Sequence, residues 1–244
     1  MKRLKKIKYS HILLVMSIIA IIPVIILCFY DRPSADDYSY AILTHNSIVN
    51  NRDFFDLIKV SWNNAIIFYK DWSGSFFTSI IQSLQPGIFG NRFYPIAPLF
   101  ILLWMYFSIR VLIGAINRYY LKEDKLTGIS LSLWFFVYLV MWLPSVTQGI
   151  FWFNGAANYM ISFFAAIMNI GIYIHMYHCD HSKKKMIKYL FISCILSVLS
   201  TDGNILASFA SLIISFAISF VFIFFFFFFF FFFFCFFLFF LRFF

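Results

Sequence analysis

The sequence predicts an all-α fold, a polytopic transmembrane helical protein with about six spans, a cytoplasmic N-terminus and a long outer loop carrying interfacial helices after span one. Three observations predict it. Hydrophobic residues make up 63% of the chain and charged residues only 12%, far from the balance of a soluble domain. Apolar runs of roughly 20 residues recur, the length that crosses about 30 Å of hydrocarbon at about 1.5 Å per residue. Lysines and arginines gather in short runs between those segments, as membrane topology requires. The net charge of +9 is therefore not a nucleic-acid face, and nucleic acid is excluded as a partner.

The first element is a basic head followed by an apolar run, "MKRLKKIKYSHILLVMSIIAIIPVIILCFY", with span one over residues 12–30. It is longer than the core of a secretory signal peptide, about 7–15 residues, and lacks a small-residue cleavage site, so it reads as a signal anchor. Residues 31–92 form the loop, too long for a mere connection. Its stretches "WNNAIIFY" and "FFTSIIQSL" suggest short helices lying at the interface. Further spans follow at 93–117, 126–143, 159–177, 187–200 and 205–228. The head, "NRYYLKEDK" and "HSKKKMIK" carry the basic residues that fall on one side, which is the cytoplasm. Residues 1–221 thus form the N-terminal part of a multi-span domain. Residues 222–244 include eleven consecutive phenylalanines at 224–234, low-complexity sequence with no packing logic and the text of a thymine-rich tract. The chain therefore reads as the front part of a longer membrane protein.

This topology brings "SADDYSY", "YKDWSGSFFTSIIQ", "TQGIFWFNGAANY" and "STDGN" to the outer face together. Asp36 and Asp37 repel one another, so a fold that keeps both ionised near a membrane needs a cation, a shared proton or wide solvation. One of them can serve as a general base, and the pair can hold a divalent metal, Mg or Mn. The plainer reading makes Asp36 the cap of a helix through "DYSYAILTHN". Gln148, Asn154 and Asn158 offer amides and Trp152 a flat apolar face, both suited to sugars, while an aromatic interface belt with helix caps explains the same residues. Asp202 belongs either to the site or to an ordinary Asp-Gly turn. Asp31 beside Arg32 reads as an exposed ion pair. The group "HMYHCDH" falls at the cytoplasmic end of a span, where cationic residues suit a helix C-terminus and lipid headgroups better than a metal site. Cys28, Cys179, Cys194 and Cys235 lack any CxxC pairing and read as packing or lipid-facing residues.

A basic inner head, one helix and then paired acids opening a long outer loop resemble the glycosyltransferase C superfamily, whose members take sugar from polyprenyl-phosphate carriers. More closely, "DRPSADDYSY", "YKDWSGSFFTSIIQSLQP" and "FWFNGAANYMISFF" resemble a bacterial membrane family of unknown function with the same layout, over about residues 1–215. The resemblance implies a multi-pass protein of the bacterial cytoplasmic membrane. It implies Asp36 and Asp37 as the catalytic and metal-binding acids, with Trp72, Gln148, Trp152, Asn154, Asn158 and Asp202 lining the substrate site. Its partners would be a polyprenyl-phosphate sugar donor and an envelope glycan or lipid acceptor. At Trp72, Ser73 and Gly74 the family often carries Gly-Arg, whereas this chain has "SGS" and no arginine, which leaves the turn without a phosphate-binding group. The competing functions are a transporter or flippase for an envelope precursor, which needs interrupted helices and mid-membrane polar groups, and a non-catalytic membrane protein.

Overall fold

The computed structural model describes residues 2–50, 53–179 and 183–203, and beyond them 205–206, 208–209, 211–213 and 216. Its elements are α1 (Lys2–Cys28), α2 (Asp37–Asn50), α3 (Phe54–Asp71), α4 (Phe77–Ser83), α5 (Ile96–Ile116), α6 (Lys125–Met141), α7 (Phe153–Ala156), α8 (Ser162–Tyr177) and α9 (Lys183–Asp202). No strand occurs among the described residues. Three helical stretches, Tyr9–Cys28, Asn91–Leu121 and Phe153–Tyr177, are long and apolar enough to cross a membrane. They coincide with the expected spans at 12–30, 93–117 and 159–177. At 126–143 the helix is α6, apolar but only 17 residues long. At 187–200 it is α9, which opens on three consecutive lysines. The expected span at 205–228 and the phenylalanine-rich tail lie largely or wholly outside the described residues.

Sequence dictates the packing through one stripe per helix. On α1, Ser17, Ile21, Val24 and Cys28 recur at helical spacing and are buried, while Ile12, Val15, Ile19 and Ile26 face outward. The buried stripe packs on α6 and α5; α5 packs on α8, and α8 on α9. Ile101, Met105 and Ile109 of α5 form the centre of the resulting core with Val140 and Phe164. A close crossing of α8 with α5 occurs at Gly171, where a Cβ would stand 2.9 Å from both the Cα and the backbone nitrogen of Leu112. Cys28 and Cys179 are buried and Cys194 is half-buried, all as free thiols; Cys235 lies outside the described residues. At the bundle end where α8 stops, the ring of His178 stacks on Tyr119 at 4.1 Å and His175 Nδ1 meets the Tyr119 hydroxyl at 3.2 Å.

Residues 37–93 pack inside out. Their buried positions are largely polar, including Thr44, Ser47, Ser61, Asn64, Ser79, Gln82 and Ser83, whereas Ile42, Phe54, Phe55, Ile58, Trp62 and Ile67 are exposed. Direct hydrogen bonds satisfy the inner side: Thr44 Oγ1 donates to the Ser83 carbonyl at 2.6 Å, Ser61 and Ser83 share a hydroxyl bond at 2.7 Å, and Asn64 Nδ2 donates to the Tyr40 carbonyl at 3.1 Å. Water would drive the opposite arrangement. Polar groups turned inward and apolar ones outward suit a hydrocarbon boundary, where backbone and side-chain donors must be paired internally.

Gly171→Ala is expected to push α8 away from α5 and to destabilise the bundle by about 1–3 kcal/mol. Thermal unfolding of the purified protein in detergent measures it, and an unchanged midpoint would count against so close a crossing.

Candidate functional site

The chain leaving α1 turns sharply at residues 34–37, where the Asp37 N–H donates to the Ser34 carbonyl at 3.0 Å. Ala35 in this turn has φ 47°, a left-handed conformation that a Cβ-bearing residue seldom adopts without support. The support is the Asp37 side chain, whose Oδ2 accepts from the Ser34 N–H at 3.0 Å. Asp37 is fully buried. Its Oδ2 also accepts from the Tyr94 hydroxyl at 2.5 Å, its Oδ1 accepts from the Asn154 N–H at 3.1 Å, and its carbonyl accepts from Gln85 Nε2 at 2.6 Å.

The donor at Asn154 exists because the helix is interrupted there. A π turn at Thr147–Phe151 ends where Trp152 adopts φ −88° and ψ 102°, and α7 begins at Phe153 with unsatisfied N–H groups. Asp37 takes one of them, and the Tyr94 hydroxyl accepts another from Phe153 at 3.3 Å. A carboxylate at a helix N-terminus is favoured by the partial positive charge there. Burial nevertheless pushes the Asp37 carboxyl above its ordinary range; the bonds from Tyr94, Ser34 and Asn154 oppose that rise, and the charge of Asp36 adds to it.

Two further contacts draw the remaining motifs to the same end of the bundle. Asp202, at the end of α9, accepts from the Phe76 N–H at 2.9 Å and the Thr78 N–H at 2.7 Å, capping α4 from a distant part of the chain. Next to it, Gly203 lies so close to the α7–α8 helix that a Cβ would collide with Ser162 Oγ and stand 2.6 Å from the Asn158 carbonyl. Gln82 of α4 and Asn158 both donate to the Asn154 carbonyl at 3.1 Å. The turn at Trp72–Gly74 is joined to α2 through Tyr40, whose ring stacks on Phe68 at 4.0 Å and whose hydroxyl is hydrogen-bonded to Ser73. Gly74 has φ 64°, which explains a glycine in that turn.

The residues singled out from the sequence divide into three groups. Asp37 and Asn154 are buried fasteners, and Asn158 and Asp202 are half-buried ones. Asp36 and Gln148 are exposed, Trp72 is 78% exposed, and the Asp36 carboxylate has no hydrogen bond among the described residues. Trp152 is half-buried, its indole folded over Gly155, where a Cβ would come within 2.5 Å of the ring. Buried atoms without a protein partner include Asn154 Nδ2 and Oδ1, Gln85 Oε1 and Trp152 Nε1, so these are the groups the interior offers to a polar ligand. Asp36 and Asp37 do not fit a chelated Mg or Mn ion. Both Asp37 oxygens are taken by protein donors, and no group of three His, Cys, Asp or Glu side chains gathers among the described residues.

Asp31 departs from the exposed ion pair expected of it. Arg32 Nη1 donates to the carbonyls of Asp31 at 2.6 Å and Phe29 at 3.4 Å, and Asp31 Oδ2 is buried without a partner. Short-range carbonyls outcompete the carboxylate because the guanidinium folds back over the end of α1. Three residues of the site escape sequence reasoning. Gln82 and Gln85 stand three apart in a quoted motif, the first on α4 and the second just past its end; Tyr94 follows a Phe and precedes a Pro, and nothing distinguishes it from a membrane-interface aromatic. No family model, no curated protein and no solved structure matches this chain.

Tyr94→Phe is expected to lower stability by about 1–3 kcal/mol, because it leaves the Phe153 N–H without its acceptor and Asp37 without its shortest bond. Thermal unfolding in detergent reads the loss, and an unchanged midpoint would remove Tyr94 from the latch. The Asp31 carboxyl is raised from 3.8 to about 6, first by burial and further by the charge of Asp37. Its folded form holds the proton more tightly than the unfolded one, so its contribution to stability is complete below 3.8 and is lost as pH rises through about 6. Asp31→Asn should flatten the pH dependence of the unfolding midpoint across that window; an identical slope in the variant contradicts the assignment.

Proposed function

We propose that this chain is part of a membrane glycosyltransferase that moves a sugar from a polyprenyl-phosphate carrier to an envelope glycan or lipid at the outer face of a bacterial cytoplasmic membrane. The single observation supporting it is the split of the acidic pair: Asp37 is locked in the interior while its neighbour Asp36 stays exposed, at the bundle end where the polar motifs meet. In this reading the protein has about six spans with the N-terminus inside, and residues 31–92 lie at the outer interface. Asp36 is the general base. It takes the proton of an acceptor hydroxyl as that oxygen bonds to the anomeric carbon, and the bond from that carbon to the carrier phosphate breaks, the electron pair leaving with the phosphate. Trp72 and Gln148, both exposed, contact substrate at the surface, while Trp152, Asn154 and Asn158 form the wall behind it. Asp37 and Asp202 position that wall. The metal expected for the pair has no role, since the acids do not converge on one cation.

A second reading, a carrier for an envelope precursor, is favoured by the helix interruption at Trp152 and by Asn169, buried within α8 and donating to Ser197 Oγ at 3.0 Å. It ranks second because the interruption stands at one end of the Phe153–Tyr177 stretch and not at its middle.

Asp36→Asn is expected to reduce sugar transfer in membrane vesicles by roughly 10²–10⁴-fold, the range for loss of a general base, while the unfolding midpoint stays put. Vesicles supplied with a polyprenyl-phosphate-linked sugar provide the assay, and wild-type transfer by this variant rejects the proposal.

A further inference from the structure

We infer that the cleft between α2 and α3 binds a neutral saccharide through carboxamides contributed by both helices. The cleft has a volume of about 400 Å3, within the usual span of small-ligand sites, about 300–1,000 Å3. Asn46 and Asn50 border it from α2, Asn63 and Asn64 from α3. Asparagine is disfavoured inside a helix because its side chain competes for backbone partners. Asn64 offsets that through its bond to the Tyr40 carbonyl. The other three are exposed, and their amides make no hydrogen bond among the described residues.

The lining chemistry selects the ligand class. Each amide presents donors and an acceptor together, which is what a hydroxyl group needs on its two sides. The one carboxylate, Asp56, is held by Ser47 Oγ at 2.6 Å. Among the described residues no Lys, Arg or His borders the cleft, so these give a phosphate or carboxylate ligand no opposite charge. Leu43, Val60 and Ile67 supply apolar surface for the C–H face of a sugar ring. The cleft is also separate from Asp37. Positions 43, 46, 47 and 50 of α2 border it, whereas 37, 38, 41, 42 and 45 border a second cleft on the other side of the same helix. The inference therefore stands whether or not the chain transfers sugar. A free saccharide and the headgroup of a glycolipid present the same chemistry.

The test uses the full chain in lipid nanodiscs, prepared without glycoside detergents, which would compete. Saturation-transfer NMR is recorded with maltose, lactose and chitobiose, and with glucose 6-phosphate as the charged control. A second arm replaces part of the nanodisc lipid with diglucosyl diacylglycerol. The expected result is binding of a neutral disaccharide that weakens about tenfold or more in Asn46→Leu/Asn63→Leu and persists in Asp36→Asn. Loss of the disaccharide signal in glycolipid discs identifies the headgroup as the occupant; retention identifies free saccharide. If the leucine variant fails to insert, Asn46→Ser/Asn63→Ser takes its place. No signal with any neutral saccharide or glycolipid, equal binding by the variant, or preference for the sugar phosphate overturns the inference. Since Asp36→Asn should bind normally, failure here is distinguishable from failure of transfer.

Discussion

One carboxylate determines how this end of the protein is put together. Asp37 joins the turn after α1, the aromatic residue ahead of α5 and the first N–H groups of α7, through the bonds from Ser34, Tyr94 and Asn154. Each donor belongs to a backbone or hydroxyl group that lacks another acceptor in its own element. An interrupted helix has free N–H groups by construction, and a buried one must be paired. The interruption at Trp152 and the burial of Asp37 are therefore one feature: neither is tolerable without the other.

The segment that follows obeys the same constraint by another route. In α2, α3 and α4 the inner surfaces carry hydroxyls and amides bonded to one another, and the outer surfaces carry isoleucine, phenylalanine and tryptophan. Such a layer gains little from the hydrophobic effect between its own helices. It is held by paired polar groups and by the caps that fix its ends, Asp53 for α3 and Asp202 for α4. The environment that makes this arrangement favourable is one in which the outward face is not wetted.

The helical class and the three apolar stretches were legible because they depend on run length and composition, which are local. The acidic pair was legible as a site of strain, and the amides of "FNGAANY" as polar groups worth noting. What the sequence withheld was the pairing. Nothing local tells that Tyr94 meets Asp37, or that Asp202 caps a helix more than a hundred residues away. Such contacts arise from the folding of one span against another. Two adjacent aspartates look equivalent in sequence, yet one is fully buried and the other exposed. Arg32 shows the same limit: its neighbour Asp31 invites an ion pair, but carbonyls at the end of α1 take the guanidinium.

The difference between Asp36 and Asp37 resolves the electrostatic problem that the pair poses. A metal ion or a shared proton would need both carboxylates on one side. At the start of a helix, consecutive side chains diverge by roughly 100°, so the pair is separated by geometry. Asp37 turns into the bundle, where its carboxylate accepts from three donors, one of them the Asn154 N–H at the start of α7. Asp36 turns outward, its carbonyl accepting the Tyr40 N–H of the same helix. Solvation handles the outer charge and hydrogen bonding the inner one, so no cation is required. The arrangement also ties the outer acid to the inner one: Asp36 keeps its position at the start of α2 while its neighbour is latched, and whatever loosens the start of α7 releases both.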